Sequence, residues 1–89
     1  MGSHAAWVLR IDPGVLKTLK QIPRPKAEAI FEILKFLPKD PYFGDIQKIE
    51  NQDDVWRRRM GSYRLFYRIK QKEKIILVFR LERRTSKTY

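Results

Sequence analysis

Apolar and polar positions along this chain follow two different periods, and the switch between them divides it. Ala6 to Ile11 (AWVLRI) is a short apolar run that predicts a first strand. Asp12 followed by Pro13 is an N-cap with proline at the first helical position. Val15, Leu16, Leu19 and Ile22 recur at helical spacing, so a first helix is predicted from Pro13 to Gln21. Pro23 and Pro25 end it, and the second proline also suits the start of the next helix. Ala27, Ile30, Ile33, Leu34 and Leu37 line one face of that second helix, which stops near Pro38. The short link between the two predicts an antiparallel helical hairpin. Asp40 to Gly44 (DPYFG) is a turn, and Asp45 to Asp54 is a polar loop carrying a short strand or a turn of helix. From Val55 onward the period drops to two. Strands are predicted near Val55–Met60, Tyr63–Lys70 and Lys74–Glu82, linked across Gly61-Ser62 and across Gln71-Lys72-Glu73.

Strand, two helices and a three-strand meander predict an α+β fold. Its sheet is antiparallel, of about four strands, with the helical hairpin packed on one face and the first strand at an edge. Side chains alternate between the faces of a strand. Tyr63, Leu65, Tyr67 and Ile69 therefore form an apolar face toward the helices, joined by Trp56 and Met60. Arg57, Arg59, Arg64, Phe66, Arg68 and Lys70 take the open face. Parity puts Arg58 on the core side, a local conflict relieved if it lies near a strand end and snorkels outward. In the last strand Ile75, Leu77, Phe79 and Leu81 share one face and Ile76, Val78, Arg80 and Glu82 the other. Both faces are apolar in the middle, which predicts an interior strand.

Composition sharpens this picture. At 89 residues the chain is long enough for one domain with a modest core. Its formal charge is +10. From Arg57 to Tyr89 there are twelve lysines and arginines against only Glu73 and Glu82, while the other carboxylates fall mostly between Glu28 and Asp54. That asymmetry fits nucleic acid, an acidic protein partner or both, and fits a merely well-solvated surface equally. Without cysteine, disulfides and thiolate metal sites are excluded. No apolar run approaches the roughly 20 residues of a membrane span, and no signal peptide is legible. A cytoplasmic location is the expectation. Met1-Gly2-Ser3-His4 reads as a vector remnant, which leaves residues 5–89 as the domain and sets aside the only histidine. Asp53-Asp54 is too little to hold a metal, and neither metal nor cofactor is expected.

The residues also carry a family resemblance that covers nearly the whole chain. A first strand leads into a helix bearing LKTLKQIP. A second helix ends in the turn Leu37-Pro38-Lys39-Asp40-Pro41, followed by Gly44 and Lys48. Then come VWRRRMGSYRLFYRI, a last apolar strand and a basic ending closed by Tyr89. This resembles the RelE/ParE superfamily of toxin–antitoxin toxins, the RelE branch more than ParE. The resemblance implies a ribosome-dependent endoribonuclease that cleaves mRNA in the A site, where a 2′-hydroxyl attacks the adjacent phosphate to give a 2′,3′-cyclic phosphate. It implies a RelB-like antitoxin as partner, besides the ribosome and mRNA. The family's two basic residues before the hairpin turn fall on Arg57 and Arg59, where lysine is common. The arginine after the Gly-x-Tyr falls on Arg64, the one after the last strand on Arg83 or its neighbour Arg84, and the terminal tyrosine on Tyr89. Lys48, Arg58, Arg68, Arg84 and Lys87 are expected to add contacts to RNA or the ribosome.

Such a site works without histidine. The pentavalent phosphate needs positive charge, the 2′-hydroxyl a base and the leaving oxygen a donor. Arg57, Arg64 and Arg83 supply charge, and Tyr89 is the residue in the basic tail able to act as base. Lowering a phenol by about 3 pKa units takes roughly 4 kcal/mol, and one cation at about 5 Å in an effective dielectric of about 20 gives roughly 3 kcal/mol. Two arginines beside Tyr89 therefore suffice, and alignment by an outside scaffold would supply much of the rate. Two other readings fit the same charge: a ParE-like toxin that inhibits DNA gyrase by binding, and a basic RNA- or ribosome-binding domain with no chemistry.

Overall fold

The computed structural model describes residues 7–83. Its elements are β1 (Val8–Ile11), α1 (Pro13–Leu19), α2 (Arg24–Phe36), β2 (Ile46–Lys48), β3 (Val55–Met60), β4 (Tyr63–Lys70) and β5 (Ile75–Arg83). The α+β architecture expected from the pattern is present, with one more strand than the four anticipated. The sheet has five strands in the order β1-β5-β4-β3-β2. β1 lies at one edge and pairs parallel to β5, while every other pairing is antiparallel. The extra strand, β2, comes from the polar segment before Val55 and forms the other edge.

Local chemistry explains the helix boundaries. Asp12 adopts an extended conformation and its Oδ1 accepts from the Gly14 N–H at 2.8 Å, with Pro13 opening α1. The helix stops at Leu19, sooner than Gln21, as the Gln21 N–H turns back to the Thr18 carbonyl at 2.9 Å. Extended Pro23 then caps α2 without a side-chain hydrogen bond, and Pro25 sits in its first turn, where no helical N–H partner is needed.

Both helices pack on one face of the sheet. Val15 and Leu19 of α1, Ala27, Ile30 and Leu34 of α2, and Leu37 just beyond it form a single core with Tyr63, Leu65, Tyr67 and Ile69 of β4 and Ile76, Val78 and Leu81 of β5. Leu16, expected on the inner face of the first helix, is 40% exposed. Its place on α1 points away from the sheet, and only Val15 and Leu19 of that helix are buried.

β5 departs from simple alternation. Phe66 pairs with Arg80 but Tyr67 with Val78, so Phe79 is an extra residue, a β-bulge. The bulge shifts the phase by one. Ile76 and Val78 point into the core before it and Leu81 after it, in place of the expected grouping of Leu81 with Ile75, Leu77 and Phe79. The core thus stays apolar while Arg80 and Glu82 remain on the open face.

Candidate nucleic-acid interface

The β3–β4 hairpin turns through two residues, Gly61 and Ser62, between the paired Met60 and Tyr63. Gly61 has φ +59, the left-handed backbone that a tight hairpin of this length demands at its first turn position. The turn fixes the register, and the register fixes which side chains meet. On the open face, one row across the sheet runs Gln47, Arg57, Phe66, Arg80. The next row toward the turn runs Arg59, Arg64, Glu82. One row in the other direction has Val55, Arg68 and Leu77.

Three of the residues singled out from the sequence, Arg57, Arg59 and Arg64, thus come together on the open face beside the turn. Arg57 donates to Gln47 Oε1 at 2.5 Å. Arg64 lies 3.6 Å from Glu82 Oε1, and Arg80 reaches the other oxygen of the same carboxylate at 2.7 Å. Arg59 is exposed, with no ion pair among the described residues. It stands directly across from Arg64. Facing like charges disfavour the fold, and one carboxylate serves the whole cluster. The arrangement is short of negative charge and matches the fork geometry with which guanidinium groups take phosphate. Phe66 sits within this row, its ring 5.5 Å from the Arg80 guanidinium carbon and 6.4 Å from the Phe79 ring.

Arg68 shares the face and is held. It pairs with Asp54 at 3.1 Å, approaches the Asp53 carbonyl at 3.4 Å, and lies 5.7 Å from the Phe79 ring. Lys48 is elsewhere: it is exposed at the β2 edge, opposite Trp56 and therefore on the helix-bearing side.

Arg58 corrects the expectation that it snorkels outward to meet RNA. It sits mid-strand opposite Leu65, on the helix side. There its Nη1 donates to the Phe43 carbonyl at 2.6 Å and its guanidinium carbon lies 4.1 Å above the Phe43 ring. Gly44, at φ +88, passes so close that a Cβ there would fall 2.0 Å from Nη1. The Phe43-Gly44 turn is a lid over a half-buried cation. Beneath it the Tyr67 hydroxyl is buried, and burial pushes its pKa up to about 12, with the nearby Arg58 charge pulling down by less. Arg58 Nε and the Tyr67 hydroxyl are both buried without a hydrogen-bond partner among the described residues. The sequence signal for this lid was present in Phe43-Gly44 and in the parity of Arg58, but nothing in the sequence says which glycine a guanidinium will lie against.

Arg83 pairs across from Tyr63, in the row that continues from Met60 on the helix-bearing face, and is exposed at the strand end. The register therefore does not put it in the row with Arg59 and Arg64. Arg84, Lys87 and Tyr89 lie outside the described residues. Among the described residues no cluster of three or more His, Cys, Asp or Glu side chains could hold a metal, and no helix is long and apolar enough to cross a membrane.

Comparison with known proteins agrees with this geometry. The sequence model of the ParE toxin of type II toxin–antitoxin systems (parDE) matches residues 9–87. The RelE1 protein of Methanocaldococcus jannaschii is 30% identical, over 85% of this chain and 88% of its own. Among solved structures, the archaeal RelE–RelB complex from Pyrococcus horikoshii OT3 superposes with a TM-score of 0.80 at 26% identity, over 92% of this chain and 99% of the matched one. The isolated E. coli RelE toxin shares the fold, with a TM-score of 0.76 at 18% identity, over 92% and 88% of the two chains. An α+β domain with an arginine-rich open sheet face and these relatives is a toxin of a type II toxin–antitoxin system. The chain belongs to the RelE/ParE toxin superfamily and is of the RelE type.

Proposed function

We propose that this toxin is a metal-independent endoribonuclease that cuts mRNA in the ribosomal A site and is neutralised by a RelB-like antitoxin. The observation that carries this reading is the facing pair Arg59 and Arg64, with Arg57 one row away, on an open face with a single carboxylate among them. That cluster binds a phosphate and stabilises the charge that develops on it during attack by the 2′-hydroxyl. The proton of the 2′-hydroxyl goes to Tyr89, the base in this reading. The 5′-oxygen leaves with a hydrogen bond from Arg84, the alternative to Arg83, because the register turns Arg83 to the other side of the sheet. Lys87 adds a contact to the RNA backbone. Tyr67 takes no part: with its pKa near 12 and its hydroxyl buried, it stays protonated at neutral pH.

A free toxin with these groups is a weak nuclease, because among the described residues no group aligns the 2′-hydroxyl for in-line attack. The ribosome supplies that alignment. The antitoxin is an acidic or amphipathic segment that covers the arginine face; the RelE–RelB complex of the Pyrococcus relative supports an antitoxin partner.

A second reading has one specific observation behind it, since the matching family description names ParE. In that reading the basic face binds DNA gyrase and no RNA is cut. Induction of wild type and Arg64→Ala, with primer extension on cellular mRNA, separates the two. The nuclease reading predicts A-site cuts that Arg64→Ala lowers by about 10²-fold or more, the scale of losing one charge-stabilising donor. Gyrase-dependent DNA breaks without mRNA cuts would replace it with the second reading.

A further inference from the structure

The end of the sheet away from the Gly61 turn carries a second concentration of aromatic rings and cations. Trp7, Tyr42 and Trp56 form an edge-to-face chain, with ring centroids 6.4 Å apart at 83° and 5.6 Å apart at 82°. The Lys74 ammonium lies 4.7 Å from the centre of the Trp7 ring. Beside them a pocket of about 440 Å³ is lined by Tyr42, Trp56, Lys48, Lys70 and Lys72. Lys48, Lys70, Lys72 and Lys74 make no ion pair among the described residues. Of the carboxylates lining the pocket, Asp54 is taken by Arg68 and Glu73 remains.

This site lies at the other end of the sheet from the Arg59–Arg64 pair, with its Lys70 on the open face and its Lys48 and Trp56 on the helix-bearing one. Along β4, Lys70 is six residues from Arg64, roughly 20 Å at the rise of an extended strand, and four from Phe66 in the row of Arg57, roughly 13 Å. Lys48 and Trp56 are opposed on the helix-bearing side of the sheet, whereas Arg57 and Arg59 are on the open side.

We infer that this pocket is a second binding site for single-stranded RNA, in which an unstacked base lies against the Trp56–Tyr42 wall and the lysines hold the flanking phosphates. Edge-to-face packing fixes the two rings without stacking them, so aromatic surface is left for a base; Trp56 is half-buried and Tyr42 is 39% exposed. Lysines on mobile stems, standing around an aromatic wall, are the combination that binds single strands with little sequence preference. The pocket is also of the size that takes a small planar group. An acidic peptide would use the charge but not the wall. The choice of RNA as ligand rests on the nuclease reading, and the site would anchor a strand, of mRNA or ribosomal RNA, at the end of the sheet away from the Gly61 turn.

Trp7 and Trp56 are the chain's two tryptophans, so tryptophan emission reads this end of the molecule. The probe is a short 2′-O-methyl oligouridine, which cannot be cut, carrying a dye for anisotropy. Saturable quenching of tryptophan emission is expected. Lys48→Ala with Lys72→Ala, both exposed positions, should weaken the half-saturation roughly 25-fold at about 0.1 M salt and make the salt slope shallower by about 1.4. Arg57→Ala with Arg64→Ala should leave the quenching curve in place while lowering total binding by anisotropy. Anisotropy without quenching, or quenching indifferent to the lysine changes, would overturn the site and leave the nuclease reading untouched. Tighter quenching by oligoglutamate than by the oligouridine would overturn RNA as the ligand. Quenching that behaves as expected in a toxin that cuts no mRNA would keep the site and remove the nuclease reading.

Discussion

Arg58 and Arg59 are neighbours in sequence with opposite fates. Arg58 points to the helix side and is roofed by Phe43 and Gly44. Arg59 points to the open side and faces another arginine. One residue of strand parity separates a structural cation from the one that the proposed function assigns to phosphate. The roof over Arg58 is tested at Gly44 and at Tyr67. Gly44→Ala would both strain a left-handed backbone and drive a methyl into the Arg58 guanidinium, and should destabilise the domain by about 1–3 kcal/mol in urea unfolding. The second test concerns Tyr67, whose pKa in the fold, about 12, lies above its ordinary value of 10.0. The folded phenol holds its proton more tightly than the unfolded one. Its share of stability is therefore complete below pH 10 and falls as pH rises toward 12, by roughly 2 kcal/mol at the upper end. Tyr67→Phe should flatten that part of the curve of stability against pH, and a wild-type curve that is already flat there would show that the phenol is not shielded.

Among the elements, the β3–β4 hairpin does most to make the site, because a two-residue turn leaves no freedom of register. Placing Arg59 across from Arg64 opposes folding and favours an anion. Arg59→Gln should accordingly leave stability unchanged or raise it by a few tenths of a kcal/mol, while lowering affinity for a single-stranded RNA and making the salt slope shallower by about 0.7. Loss of stability together with unchanged RNA binding would contradict the division of roles. The hairpin was legible in the sequence because Gly61-Ser62 separates two runs of bulky and basic residues whose alternation is broken only at Arg58 and Phe66. β5 was not. Its run Ile75-Ile76-Leu77-Val78-Phe79 is apolar at every position, so nothing in it marks where the phase changes, and the bulge at Phe79 is decided by pairing with β4. β2 was half legible: three residues at an edge carry too little apolar pattern to declare a strand, and it exists because β3 offers a free edge. The site residues divide in the same way. Arg57, Arg59 and Arg64 follow from parity, Arg58 was misplaced because its roof is distant in sequence, and Arg80 and Glu82 entered the open face only through the bulge.

For the molecule as a whole, charge and fold act together. A chain of net charge +10 displays its arginines beside the hairpin turn and a set of lysines at the opposite end of the same sheet. The fold supplies a rigid base for both, with helices covering one face and leaving the other open for phosphate. This is a body suited to gripping a strand that something else has straightened, which is why the account assigns cutting to the toxin and alignment to the ribosome. The most direct test of that claim is cleavage of one defined mRNA by purified wild-type toxin and by Tyr89→Phe, with and without programmed ribosomes, reading cut positions and end chemistry. A-site cuts with 2′,3′-cyclic phosphate ends are expected with ribosomes and wild type, nearly absent without ribosomes, and strongly reduced in Tyr89→Phe. Equal cutting of naked mRNA, or ribosome-dependent cutting unchanged in Tyr89→Phe, would contradict it.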